Sequence, residues 1–296
     1  MKILVTGSNG LLGQKLVTLL QQKDTIRLIA TARSAPVQPV TKGEFHLLDV
    51  TNKKQVDAVV ASTKPDVLIH TAAMTQVDEC ENNREACWLN NVTAVEYLVE
   101  ACREHNIHLV HVSTDFIFDG TAGPLDEAAT PNPVNFYGES KLAAERAIQS
   151  SSISWSILRT VLVYGITHDL SRPNIVLWVK RSLEEGKSIS VVNDQWRTPT
   201  LAEDLAMGCY LAGIKKAAGI FNISGKDFIT PYDIAMKTAE FFKLDPSLIK
   251  ATDSTRFRQP ARRPLKTGFI IDKAKKELGY EPHSFEQGLQ VIKDQF

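Results

Sequence analysis

The sequence predicts an α/β fold: a doubly wound parallel sheet, with a smaller mixed lobe towards the C-terminus. Three observations carry this reading. Short apolar runs alternate with helical patterns through the first half of the chain, and that alternation implies crossover connections between parallel strands. The apolar runs are nearly continuous, as strands covered on both faces require. A glycine-spaced turn, "VTGSNGLLG", joins the first apolar run to the first helical pattern.

In chain order, "KILVT" reads as a strand, and "LLGQKLVTLLQQ" carries apolar residues at helical spacing. "IRLIAT" and "EFHLLDV" follow as strands, then "KKQVDAVVAS" as a helix and "DVLIHTAA" as a strand. One long helical pattern runs from about Glu79 to His105, and "IHLVHVST" is the next strand. "SKLAAERAIQ" is helical, and "WSILRTVLVYG" is read as a single strand. After about Gly165 the rhythm breaks. "THDLSRPN" is a polar loop, "IVLWVKRSLEEG" a helix, and "SISVVNDQWRTPT" follows it. "LAEDLAMGCYLAG" is helical, "GIFNIS" a strand, and "PYDIAMKTAEFF" a helix with Pro231 in its first turn. The tail "RFRQPARRPLKTGF" is basic and proline-rich. Residues 1–165 are therefore expected to form the sheet domain, with later returns to it at about 190–225. Residues 166–296 are expected to form mainly the second lobe.

Composition narrows the classes. The chain has 296 residues, 43% hydrophobic and 23% charged, enough for one large core or two unequal lobes. Its 34 Lys and Arg balance 34 Asp and Glu, so no global charge favours nucleic acid or an anionic membrane as partner. No apolar run reaches the length of a membrane span. The N-terminus is itself a strand candidate and lacks the pattern of a signal peptide, so a cytoplasmic protein is expected. Cys80, Cys87, Cys102 and Cys209 form no CxxC pair and no disulfide framework. Cys102, His105, His108 and His111 have ligand-like spacing. Their segment leaves a helix and enters a strand, which points the side chains apart, so no metal site is assigned.

The glycines Gly7, Gly10 and Gly13 sit where a strand ends and a helix opens. This is the setting of a dinucleotide-binding loop in a Rossmann-type fold, where backbone N–H groups at the helix start face a pyrophosphate. The spacing is G-x-x-G-x-x-G rather than the commoner G-x-G-x-x-G. Gly7, Asn9, Gly10, Leu11, Leu12 and Gly13 are the candidate residues there. The second strand ends "IATARS", placing Arg33 where a ribose-binding acid would otherwise stand. A guanidinium pairs well with a 2′-phosphate, so NADP(H) is preferred, with NAD(H) left open. Asp49, followed by Val50, approaches the adenine in one reading and leads into a helix N-cap in the other.

"NFYGESKLAAE" puts Tyr137 and Lys141 four residues apart, on one helix face. A neighbouring ammonium and an oxidised nicotinamide lower a phenol's pKa, which suits Tyr137 to proton transfer. Ser113, Thr114 and Asp115 sit at the carboxyl end of a strand, where open α/β sheets bind ligands. A hydroxyl there is placed to stabilise a developing alkoxide.

These motifs occur in a recognisable order: "TGSNGLLG", "KPDVLIHTAAMTQVDECE", "NNVTA", "STDFIFDG", "YGESKLAAE", "LRTVLVYG", "DQWRTPT" and "RRPLKTGF". The chain resembles the extended short-chain dehydrogenases/reductases and, within them, the dTDP-4-dehydrorhamnose reductase family. The resemblance spans nearly the whole chain. It implies Thr114, Tyr137 and Lys141 as the catalytic triad, and Ala72 and Ala73 as cofactor-lining residues. It implies that Asn91 supports active-site waters, that Asp115 and Phe116 border the sugar, and that Arg197 and Arg263 face a diphosphate. The implied reaction is hydride transfer to C4 of a nucleotide-linked 4-keto-6-deoxy sugar, with Tyr137 as proton donor. A homodimer is compatible with the superfamily.

The chain also departs from the family pattern. Val161 and Leu162 stand where a tryptophan is frequent, and Phe116 where tyrosine is usual, so the sugar is the weakest part of the reading. Glu281 and Glu286 form no acidic cluster of the kind that would suggest magnesium. Two alternatives stay open: a related sugar-nucleotide epimerase or dehydratase, and a non-catalytic NADP-binding subunit resembling methionine adenosyltransferase subunit beta.

Overall fold

The computed structural model describes residues 1–168, 174–256 and 259–296. Parts of the polar loop at 167–174 and of the basic tail therefore lie outside the described residues. In the first half, β1 (Lys2–Thr6), α1 (Leu11–Gln21), β2 (Arg27–Ala32), β3 (Gly43–Leu47), α2 (Lys53–Thr63) and β4 (Val67–His70) follow one another. Then come α3 (Val77–Asn82), α4 (Arg84–Trp88), a π-helical turn at Leu89–Thr93, α5 (Ala94–His105), β5 (His108–Thr114), α6 (Phe136–Gln149) and β6 (Trp155–Thr160). The later chain adds β7 (Val163–Tyr164), α7 (Ile175–Glu184), β8 (Ile189–Val192), β9 (Thr200–Leu201) and α8 (Ala202–Lys215). It ends with β10 (Gly219–Asn222), α9 (Pro231–Phe242), β11 (Ile249–Thr252) and α10 (Phe285–Lys293).

Seven strands form one sheet in the order β10-β6-β5-β4-β1-β2-β3, and every pairing is parallel. The doubly wound parallel sheet is the one expected. Strand side chains alternate between two apolar layers. Ile3, Val5, Leu28, Ala30, Val67 and Ile69 pack with Leu16 and Leu20 of α1 and with Leu205 and Cys209 of α8. Leu4, Ile29, Leu68 and Leu109 face the other way, onto Val56 of α2, Leu98 of α5 and Ile148 of α6. Burial on both faces is why the strand sequences carry so few polar residues.

The chain reverses its winding between β1 and β4. From β1 it runs outward to β2 and β3, then returns to β4 and proceeds to β5, β6 and β10. The carboxyl ends of β1 and β4 therefore open a crevice, the place where such sheets bind ligands.

Three local readings differ from the structure. The helical pattern at 79–105 is not one helix: the chain breaks at Asn83, whose side chain caps α4 by accepting from the Ala86 N–H, and passes through the π turn before α5. An asparagine that competes for backbone hydrogen bonds interrupts a helix that periodicity alone continues. The strand read over 155–165 stops at Thr160, because Leu162 takes a left-handed φ of 37° and redirects the chain into β7. The helix α10 was not expected, yet Ser284 and Gln287 form a capping box at its start.

Away from the main sheet, β8 pairs with β11 and β7 with β9, and α7, α9 and α10 pack around them on separate apolar cores. α8 and β10 return to the main sheet. Among the described residues no helix is long and apolar enough to cross a membrane.

Glu145 of α6 and Arg159 of β6 form a fully buried ion pair, 2.8 Å between Glu145 Oε2 and Arg159 Nη2. Removing one partner strands the other charge in the core. Arg159→Met is expected to lower the unfolding free energy by about 3–5 kcal/mol, read from urea denaturation midpoints. Adding Glu145→Leu to that variant is expected to recover much of the loss.

Candidate active site

The crevice is shaped first by glycines. Gly7 has φ +69°, and a Cβ there would lie 2.9 Å from the Ala72 backbone. A Cβ on Gly13 would lie 2.2 Å from the Gly7 carbonyl oxygen, so α1 meets the turn at a distance only glycine allows. Gly10 is different: its virtual Cβ has one neighbour, the Gly7 oxygen at 3.3 Å. Gly10 is also the N-cap of α1, and no side chain caps that helix. The first-turn N–H groups, including those of Leu11 and Leu12, therefore remain for an outside acceptor. The buried Ser8 hydroxyl beside them has no partner among the described residues. An uncapped helix start behind an unobstructed glycine suits the pyrophosphate of a dinucleotide.

Asn9 acts through the neighbouring loop. Its amide donates to Ser34 Oγ at 3.2 Å and to the Ala35 carbonyl at 2.9 Å, and its oxygen accepts from Val37 N–H at 3.1 Å. This latch holds the segment after β2 against the glycine turn and leaves Arg33 exposed at its start. Asp49 lies at the adjacent strand end, where Oδ1 accepts from the Thr51 N–H at 2.9 Å and from the Thr51 hydroxyl at 2.7 Å. The N-cap of α2 is Asn52. Val50 is a core residue, packed in the α2–α5 layer, and does not line the crevice with its side chain. Ala72 and Ala73 are half-buried just after β4, and the Ala72 backbone faces Gly7 across the switch point.

The side chains expected to react come from β5 and α6. Thr114 is buried at the end of β5, with its hydroxyl accepting from the Phe116 N–H at 3.2 Å. Tyr137 and Lys141 are buried one turn apart on α6. Gly138 follows Tyr137 because a Cβ there would lie 2.1 Å from the Phe116 carbonyl oxygen; the glycine lets α6 press its first turn against the end of β5. Phe116 meets the Tyr137 ring edge-on, 5.7 Å between centroids.

Burial pushes the Tyr137 phenol up from its ordinary value, and the adjacent Thr114 hydroxyl works in the opposite direction. Desolvation thus displaces the phenol away from the phenolate, the direction opposite to the one expected from a neighbouring ammonium. Burial brings the Lys141 ammonium down to about 8, with Glu145, Cys87 and Cys80 opposing that shift.

The π turn delivers Asn91 to this region. Its side chain accepts from the Met74 N–H at 2.9 Å and donates to the Met74 carbonyl at 3.0 Å and to Ser140 Oγ at 3.0 Å. The amide thus ties the segment after β4 to α6.

Arg197 occupies a place different from the one expected, against Asp115 at the end of β5. Arg197 is buried, with Nη1 donating to the Trp196 and Leu265 carbonyls at 2.8 and 3.0 Å, and Nη2 to the Pro264 carbonyl at 2.6 Å. Its Nε lies 3.5 Å from Asp115 Oδ2, which also accepts from the Thr267 hydroxyl. The guanidinium is consumed in joining the lobe to the end of β5, and it does not face a diphosphate. Desolvation raises the Asp115 carboxyl, and Arg197 and Thr267 counter it.

Arg263 is forked on Asp78 at the start of α3, at 2.5 and 2.7 Å. It also lines an open cleft of about 430 Å³ together with Asn174, Trp178, Val191, Gln195 and Pro231. Thr267, Asp78 and Ser140 were not singled out in the sequence, since their partners are distant in the chain.

The RmlD substrate binding domain family matches residues 1–296. A probable low-salt glycan biosynthesis reductase of Haloferax volcanii is 31% identical over 99% of this chain and 97% of its own length. A dTDP-4-keto-6-deoxy-D-glucose reductase of Streptomyces niveus is 34% identical over 94% of this chain and 91% of its own. Among solved structures, a dTDP-4-dehydrorhamnose reductase from Clostridium acetobutylicum superposes with TM-score 0.89, at 28% identity, covering 100% of this chain and 99% of the other. That from Bacillus anthracis, in complex with NADP, gives TM-score 0.85 at 26% identity, covering 100% and 99%.

The exposed Arg33 beside the latched loop generates a test. Arg33→Ser is expected to weaken NADPH binding at least about tenfold and leave NADH binding nearly unchanged, measured by fluorescence titration.

Proposed function

The chain belongs to the RmlD substrate binding domain family, and we propose that it reduces the keto group of a nucleotide-linked 4-keto-6-deoxy sugar with NADPH. It is an NAD(P)-dependent oxidoreductase of the extended short-chain type, preferring NADP(H) with NAD(H) admissible. The observation that carries the proposal is the convergence of Thr114, Tyr137 and Lys141 beside the glycine-lined crevice. The best single substrate is dTDP-4-dehydrorhamnose, as the names of the relatives suggest.

When bound, the reduced nicotinamide supplies a hydride. The chain's own residues supply the rest. The uncapped start of α1 takes the pyrophosphate, and Arg33 takes the 2′-phosphate. Thr114 donates a hydrogen bond to the substrate carbonyl, where negative charge develops. Tyr137, kept protonated by burial, gives its proton to the resulting alkoxide oxygen. Lys141 stabilises the phenolate left behind. The cleft edged by Trp178, Asn174 and Arg263 takes the nucleoside diphosphate end, and Trp178 offers a half-exposed ring for the base. The sheet domain, residues 1–165, holds the cofactor, and residues 166–296 form mainly the substrate lobe. A cytoplasmic location and a homodimer complete the proposal.

A reductase is favoured over an epimerase or dehydratase by Asp115. A dehydratase needs a further acid–base pair, and this carboxylate is already engaged by Arg197 and Thr267. A non-catalytic subunit is disfavoured by the triad and by full-length likeness to proteins named reductases.

The test follows NADPH absorbance against an enzymatically generated dTDP-4-keto-6-deoxy sugar. Tyr137→Phe is expected to lower kcat by about 10²–10⁴-fold with NADPH affinity preserved. Tight NADPH binding by the wild type with no turnover of any keto-sugar nucleotide would overturn the proposal.

A further inference from the structure

Two histidines lie buried behind Lys141. His70 ends β4 and His111 sits in β5, paired in register with it. Their rings stack at 5.5 Å with an interplanar angle of 24°. His70 Nδ1 lies 2.8 Å from the Thr6 hydroxyl. His111 Nε2 lies 3.2 Å from Lys141 Nζ, which also donates to the Val112 carbonyl at 2.8 Å. His111 Nδ1 is buried with no partner among the described residues.

An ammonium has three N–H donors and no acceptor, and a neutral imidazole has one N–H and one lone pair. Facing Lys141, Nε2 must be the lone-pair atom, so Nδ1 carries the hydrogen. The opposite tautomer would set N–H against N–H. Two of the three lysine donors are then held on the strand side, and one is left for the crevice.

We propose that His111 is a positioning residue for the reduction: its neutral Nε2 holds the Lys141 ammonium charged against the end of β5, leaving one N–H for the crevice beside Tyr137. The proposal rests on the reading of Tyr137 and Lys141 given above. His70 supports it. Stacked on His111 and fixed by Thr6, it makes a second charge at that place unfavourable. Burial holds both imidazoles neutral, His70 down to about 3 and His111 well below its ordinary value, with Lys141 adding to both shifts.

The groups facing Lys141 are His111 on β5, with His70 behind it on β4; Tyr137 and Glu145 on its own helix, the latter tied to Arg159 of β6; and the Cys80 and Cys87 thiols of α3 and α4. Burial drives the ammonium towards deprotonation, Glu145, Cys87 and Cys80 oppose it, and a lone pair on His111 Nε2, 3.2 Å from Nζ, would add to that opposition. The lysine is charged below about 8 and loses its proton as pH rises through that value. Removing the acceptor moves this loss to lower pH.

The first experiment uses the intact wild-type protein with ¹⁵N-labelled histidine. His111 is expected to be neutral with hydrogen on Nδ1 from pH 6 to 8; hydrogen on Nε2, or a charged ring, would overturn the proposal. This reading needs no variant that must fold. The second compares pH profiles of kcat. His111→Leu is expected to move the alkaline limb down by about one pH unit, and His111→Gln, whose amide oxygen also accepts, to keep it near the wild-type position. An unmoved limb in a folded His111→Leu enzyme would overturn the proposal while leaving the triad intact. Full turnover by Lys141→Met would instead overturn the reading of Lys141 on which it rests.

Discussion

The approach of α1 to the turn after β1 constrains everything around the crevice. With the Gly7 oxygen 2.2 Å from where a Gly13 Cβ would be, no other side chain fits without moving the helix off the sheet. That closeness fixes the helix axis over the β1–β4 gap and aims its bare N–H groups outward. The same turn seats Asn9, which reaches across to the loop after β2 and sets where Arg33 stands. One steric condition thus positions both the helix start proposed for the pyrophosphate and the group proposed to select the cofactor.

The helix α6 is the second organising element, and its residues divide their duties by direction. Gly138 allows the close contact with Phe116, and Ser140 is tied to Asn91. Lys141 is drawn onto β5, and Glu145 pairs with Arg159 of β6. Lys141 and Glu145 each have named partners, so the helix can carry an ammonium and a carboxylate into the core without leaving either unpaired. Such pinning places a phenol and an amine reproducibly beside one crevice.

The lobe is attached through polar and apolar contacts together. Arg197 gathers the carbonyls of Trp196, Pro264 and Leu265 and reaches Asp115 at the end of β5. Leu162, at its left-handed turn, packs on both the sheet core and the lobe core. Backbone strain at a non-glycine residue persists where surrounding contacts over-determine it, and here those contacts come from both sides. The cleft proposed for the substrate is thereby tied to the strand end that carries Thr114.

Periodicity and composition were sufficient for the sheet, because burial on both faces writes itself into consecutive residues such as those of "KILVT" and "DVLIH". The glycine turn and the Tyr137–Lys141 spacing were legible for the same reason: their partners are local. The break at Asn83 and the turn at Leu162 were not, since a single capping side chain or a single φ overrides a pattern that continues past it. The fates of Arg197 and Arg263 were also hidden. An arginine in a loop carries no mark of whether it meets a ligand, a carbonyl cluster or an Asp78 lying 185 positions away in the chain. His70 and His111 each occupy the fourth position of an apolar strand, but only the parallel register of β4 and β5 stacks their rings and sets one against Lys141. What the sequence by itself determined was the strands and flanking helices of the main sheet and the chemistry they bring. Which charges are free to act, and which are spent on holding the fold, was decided by tertiary structure, because pairing depends on distance in space and sequence records only distance along the chain.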